Sequence, residues 1–185
     1  SGIKSNCKNI QDTFAGVYYH YDCSDFRLNF YLRMFYDKDI SNSCDSKLKA
    51  EMKELLLNHA YWLSTNKTFF GKQNMWTENH VLAYHTAAYL SAQLFPNELM
   101  KDSGKKGREM MEEVKPKILD WIRIKRQVGF SEWDSNTYMA VNICSLLNLY
   151  DFCGDKEILA EAEKMLDIIF FIMAVGSFYG SYSGT

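Results

Sequence analysis

Two stretches of this chain, residues 79–95 and 136–152, contain no lysine, arginine or glutamate and are apolar around nearly the whole helical wheel. Val81, Leu82, Tyr84, Ala87, Ala88, Tyr89, Leu90, Leu94 and Phe95 fill the first. Tyr138, Met139, Val141, Ile143, Leu146, Leu147, Leu149 and Tyr150 fill the second. A helix with no wet face has to be enclosed on most sides, so other elements must surround these two. The chain supplies them. In residues 45–64, Leu48, Met52, Leu55, Leu56 and Leu63 recur at three-to-four spacing among lysines and glutamates. Residues 107–125 repeat that rhythm through Met110, Met111, Val114, Ile118, Trp121 and Ile122. Residues 156–175 do so through Ile158, Ala162, Met165, Leu166 and Ile169. These are amphipathic helices with one solvated face. Pro116 predicts a start or a kink within the second of them. A third inner-type helix precedes all of these at residues 25–36, with Phe26, Leu28, Phe30, Leu32 and Phe35 beside two arginines.

Inner and outer helices therefore alternate three times, and the alternation carries a period. Trp76 and Trp133 stand 57 positions apart, and each is followed three residues later by an asparagine, Asn79 and Asn136. One interval earlier, Y-D-C-S-D at residues 21–25 occupies the matching place. After the last outer helix, G-S-F-Y-G-S-Y-S-G-T has the make-up of the next such loop. A degenerate repeat of helical hairpins at this period predicts an all-α, double-layered array, part of an α/α toroid of which this chain supplies about three hairpins. A full ring takes about six. The expectation is thus a single all-α domain over residues 1–185, a fragment of a longer toroid protein. Its exposed inner flanks would be covered by the remaining toroid segment or by a second chain. A short open solenoid is the competing shape.

Composition narrows the function classes. Hydrophobic residues make up 47% of the chain and net charge is −2, which excludes global disorder. Lysines and arginines are scattered among acids with no basic stripe, so no nucleic-acid partner is expected. No apolar run approaches the roughly 20 residues of a membrane span, so no membrane partner is expected either. Residues 101–108 read as a charged, solvated connector. None of the five cysteines forms a C-x-x-C pair, and His80 and His85 lie five apart, so no metal site is expected. Cys144 and Cys153 read as small core residues. Cys23, beside Asp22, is the only cysteine in a polar loop leading into a helix. Asn66-Lys67-Thr68 forms a glycosylation sequon of a kind that often arises by chance. Phosphate-binding, dinucleotide and nucleophile-elbow motifs are missing, and no cofactor is implied.

The E-N-H of residues 78–80, the G-F-S-E-W-D-S-N-T-Y of residues 129–138 and the L-L-N-L-Y-D-F that ends the same helix resemble bacterial and fungal proteins of the six-hairpin glycosidase-like type. The resemblance covers residues 76–185; residues 1–70 fit the hairpin rhythm without a shared motif. It implies an α/α toroid and suggests carbohydrate chemistry, because glycoside hydrolases and polysaccharide lyases use that scaffold. A scaffold does not by itself assign a reaction.

In such a ring the loops leading into the inner helices open on one face. Asp22, Asp25, Glu78, Asn79, His80, Glu132, Trp133, Asp134, Asn136 and Tyr138 would gather there, with the free N–H groups of three helix starts. Glycoside hydrolysis needs two carboxylates across the bond. The candidates are Glu132 and Asp134 facing Glu78 or Asp22. Asn79 and His80 would hold substrate hydroxyls, as would Asn136, while Trp76, Trp133 and Tyr138 form the walls of a saccharide site. A polysaccharide lyase would instead use Asn79 to bind a uronate, His80 or His85 as base and Tyr138 as acid. A non-catalytic scaffold or binding module is the third reading. Simple structural roles compete with all of these: Asp25, Asp134, Ser135 and Asn136 sit where helix caps are wanted.

Overall fold

The computed structural model describes residues 10–61 and 75–182. The sequon and the end of the first amphipathic segment lie outside the described residues. A short 3-10 turn, Gln11–Thr13, leads into eight α-helices: α1 Phe14–Tyr18, α2 Ser24–Tyr36, α3 Lys38–Ser43, α4 Ser46–Asn58, α5 Glu78–Leu94, α6 Gly107–Val128, α7 Asn136–Phe152 and α8 Lys156–Val175. Two hairpins of two-residue strands interrupt them. β1 Leu99–Met100 pairs with β2 Lys105–Lys106, and β3 Ser177–Phe178 pairs with β4 Ser181–Tyr182, both antiparallel. The chain is all-α, as the periodicity predicts.

The three inner helices α2, α5 and α7 run parallel and touch one another. Down the α2–α5 seam, Asp25 meets His80, Asn29 donates to the Ala83 carbonyl and Tyr36 donates to the Leu90 carbonyl. Down the α2–α7 seam, Arg33 donates to Asn148 and Asp151, and the Tyr36 ring stacks on Phe152 at 5.0 Å. Residue numbers rise together on both sides of each seam, which is the mark of parallel packing. The outer helices run the other way. Trp121, near the end of α6, donates to the Glu78 carbonyl at the start of α5 at 2.8 Å. Outer α6 and α8 are in turn parallel to each other, joined by Lys115 with Asp155 and Glu157 and by Arg126 with Glu161. One continuous core runs through all of this, from Leu28 and Leu32 through Leu82 and Leu90 to Ile118, Leu146 and Ile169.

A polar network sits at the meeting of the inner helices. Asn29 Nδ2 donates to the carbonyls of Asp25 and Ala83, and Asn148 Nδ2 donates to the Asn29 carbonyl, all at 2.9 Å. Two buried amides, from α2 and α7, that satisfy three carbonyls fix the relative height of the three helices, because any slip would leave polar groups unpaired.

Four local expectations are corrected. The first amphipathic helix ends at Asn58 and not near residue 64. There, the Lys101 N–H takes the Leu57 carbonyl and the Tyr61 hydroxyl takes the Leu56 carbonyl, satisfying groups that a helix end would leave open. Of the two readings of Pro116, a helix start is overturned, since α6 runs through it with the residue exposed. Residues 101–108 are more than a solvated connector: they form most of a tight hairpin and then the first turn of α6, with Met100 buried beneath. Cys153 is buried as expected, but Cys144 is exposed, because it faces the open flank between α2 and α7.

Candidate functional site

The starts of α2, α5 and α7 share one end of the molecule, and the loops leading into them meet there. Their strongest link is a buried pair. His80 Nδ1 lies 2.8 Å from Asp25 Oδ2, with the two side chains 7% and 0% exposed. Phe26 stacks on the His80 ring with centroids 4.9 Å apart and planes within 8°. Asp25 is therefore not the cap that its position suggests. Burial alone would lower the His80 pKa. The hydrogen bond and charge of Asp25, with the charges of Asp22 and Glu132, outweigh it and hold His80 above its ordinary value. Three carboxylates on two other loops thus act on one imidazole.

Glu78 has a different office. Its carboxylate accepts the N–H of Ser131 at 2.9 Å and of Glu132 at 3.0 Å, and Lys125 pairs with it. The side chains of Lys125 and Glu78 are 10% and 6% exposed. Burial pushes the Glu78 pKa up, but these three donors outweigh it and hold the group below the usual carboxylate range. Such a carboxylate is a clamp that seats the 131–132 loop, and both its oxygens are engaged.

Glu132 stands in contrast. Its Oε2 is buried with no hydrogen-bond partner among the described residues. Burial and the neighbouring Glu78 charge push its pKa up, against His80 and Lys125. Asp134 holds a left-handed backbone, φ 54°, and accepts from the Tyr182 hydroxyl at 3.1 Å. The β3–β4 hairpin thereby reaches the same end. Ser135, and neither Asp134 nor Asn136, caps α7 by accepting the Tyr138 N–H. Asn136 is the first helical residue and is exposed, as is Tyr138.

The two tryptophans lie on the surface of this end, Trp76 84% and Trp133 56% exposed. Trp133 folds back over Gly129, whose missing Cβ would lie 3.3 Å from the indole. Asn79, in contrast, is 0% exposed, with both side-chain polar atoms lacking partners among the described residues. It does not present its amide to a ligand from bulk solvent. His85 is buried further along α5.

Cys23, marked in the sequence only as the cysteine of a polar loop leading into a helix, joins this end of the molecule. It precedes α2 in a left-handed conformation, φ 63°. Asp22, Cys23 and His80 each bring one potential metal-ligating atom within 4.8 Å of the others. Burial, then Asp22 and Asp25, push the Cys23 thiol up, so it is not held as a free thiolate nucleophile. Besides its polar loop, the signal was the repeat register: Y-D-C-S-D aligns with the W-T-E-N-H loop one period on, and aligned loops meet at one end.

A scan against protein-family models, a search of curated proteins and a search of solved structures each found no match to this chain.

Proposed function

We propose that the shared end of the inner helices binds a saccharide and hydrolyses it by acid–base catalysis, with Glu132 as proton donor. The state of Glu132 carries this reading. A partly buried carboxyl with an unpartnered oxygen, beside the ionised Glu78, keeps its proton to higher pH than a solvated glutamate. A glycosidic oxygen needs such a donor as its C–O bond breaks. Asp22, exposed and near enough to act on His80, is assigned as the second carboxylate, the acceptor of a proton from the attacking water. Proton and bond changes then balance: Glu132 protonates the leaving oxygen, water adds to the anomeric carbon, and Asp22 receives its proton. His80, held by Asp25, hydrogen-bonds a sugar hydroxyl. Trp76 and Trp133 offer flat apolar faces to pyranose rings, with Asn136 and Tyr138 at the polar edge.

The toroid belongs to the same proposal. In the wider ring, further hairpins or a second chain would cover the flank between α2 and α7.

The test is a panel of neutral and uronic oligosaccharides added to the protein while the indole N–H signals are followed by NMR. A neutral oligosaccharide should shift the Trp76 and Trp133 signals. Glu132→Gln should keep that shift and lose hydrolysis by about 10²–10⁴-fold. If no member of the panel moves either indole, the saccharide reading is withdrawn. Cleavage of uronic polymers alone, with an unsaturated product, would replace hydrolysis by elimination.

A further inference from the structure

We propose that Asp22, Cys23 and His80 form a binding site for one divalent transition-metal ion of the zinc class, with Asp25 orienting His80 from behind. The three donor atoms already lie within 4.8 Å of one another. Zinc bonds of about 2.0–2.3 Å in tetrahedral geometry set neighbouring donors roughly 3.3–3.8 Å apart. Side-chain adjustments of about an ångström therefore close the set.

His80 supplies an independent observation. A histidine that ligates a metal through one nitrogen almost always gives its other N–H to a carboxylate or carbonyl. Here Nδ1 meets the buried Asp25 carboxylate at 2.8 Å, which fixes the proton on Nδ1 and leaves a lone pair on Nε2. With Nδ1 engaged, Nε2 is the ring nitrogen left to turn toward a ligand. Phe26, stacked on the ring, holds its plane. Asp25 Oδ1 is buried and also lacks a partner among the described residues. This carboxylate is thus placed for orienting the imidazole, not for meeting solvent.

The donor types select the ion. A thiol, an imidazole and a carboxylate suit zinc or cobalt and not the all-oxygen preference of magnesium or calcium. The left-handed backbone of Cys23 is a strained conformation for a non-glycine residue, of the kind that collects where a side chain has a task. Three protein ligands leave a fourth position open. The site goes beyond the saccharide reading. With a cation bound, Asp22 and His80 are ligands and are withdrawn from the hydrolytic roles given them above, so the metal-bound and hydrolytic states exclude each other.

The experiment uses the full chain, stripped with a chelator, dialysed and titrated with Co²⁺ alone. One cobalt per chain should bind, with the visible bands of a four-coordinate ion and a thiolate-to-cobalt charge-transfer band in the near ultraviolet. Cys23→Ser should remove the charge-transfer band, and Asp25→Asn should weaken binding by about 10–100-fold. Circular dichroism checks that each variant is folded. A second measurement needs no variant: alkylation of the wild-type chain with and without Zn²⁺, read by mass spectrometry. Zinc should protect Cys23 while the exposed Cys144 reacts at the same rate in both samples. The proposal falls if cobalt does not saturate, if the charge-transfer band survives Cys23→Ser, or if zinc leaves the alkylation of Cys23 unchanged. These readouts do not depend on any sugar.

Discussion

His59 and His85 are buried as neutral imidazoles. Burial, aided by the charge of His20 on the first and Lys117 on the second, pushes His59 down to about 3 and His85 down to about 4. In the unfolded chain both titrate near 6.5. As pH falls below about 6.5, the unfolded chain takes up a proton at each site and the folded chain does not. Stability is therefore lost on acidification, by up to about 1.4 kcal/mol per pH unit for each histidine, until pH reaches the folded values. Urea midpoints measured between pH 7 and pH 4.5 should fall, and His85→Gln should flatten the slope. An unchanged slope in that variant would show that His85 is not the titrating group. Glu78 makes a second prediction at this scale. Glu78→Ala leaves Lys125 buried without its partner and should cost about 3–5 kcal/mol in denaturant unfolding. Amide exchange at Ser131 and Glu132 should quicken with it, since both N–H groups lose their acceptor. The sequence marks Glu78 as one more carboxylate beside a helix start. Nothing local distinguishes a clamp from a catalyst, because the lysine that decides it lies 47 residues on.

At the scale of elements, the turn from α5 to α6 depends on one glycine. A Cβ on Gly107 would lie 2.5 Å from the Phe95 carbonyl oxygen and 2.6 Å from that of Ala92. Backbone cannot yield as a flexible side chain would, so Gly107→Ala should destabilise the fold by about 1–3 kcal/mol and lower the thermal midpoint. Pro116 should behave in the opposite sense. It stands exposed inside α6, where its ring removes one hydrogen bond of the ladder. Pro116→Ala should raise stability by up to about 3 kcal/mol, and a loss on substitution would mean the helix relies on a bend there. The long helices were legible because their stripes of Leu, Ile and Met survive any local choice of cap. The start of α7 was less so: Asp134, Ser135 and Asn136 are all good caps, and only the fold shows Ser135 taking that role. The short helices α1 and α3 carried no usable period. α3 rests on Asp37, which accepts the N–H groups of Asp39 and Ile40, a signal too common in turns to single out.

For the whole molecule, the period of the repeat was the most informative feature, since it placed three loops at one end before any contact was known. It did not foresee which side chains would meet across them. The Asp25–His80 pair spans 55 residues, close to one period, so the two loops align, yet alignment does not choose between capping and pairing. The alternation also predicted uncovered inner flanks at the ends of the array; the groove that the structure shows lies instead where α2 and α7 meet. Between α2 and α7 lies a groove of about 430 Å³ lined by Phe26, Phe30, Val141, Cys144 and Leu147 above the Asn29–Asn148 bonds. Phe30 is 56% exposed in it. An apolar groove open to water on a folded protein should bind the dye 8-anilinonaphthalene sulfonate under native conditions, with a fluorescence rise that saturates. Phe30→Glu places a charge on the exposed rim, where it need not disturb the core. Dye affinity should then fall several-fold while the unfolding midpoint stays within about 0.5 kcal/mol of the parent, the usual range for a surface change. No saturable dye binding by the parent would mean that α2 and α7 close over the groove in solution. The three inner helices would then form a sealed bundle, with no flank left for further hairpins to extend.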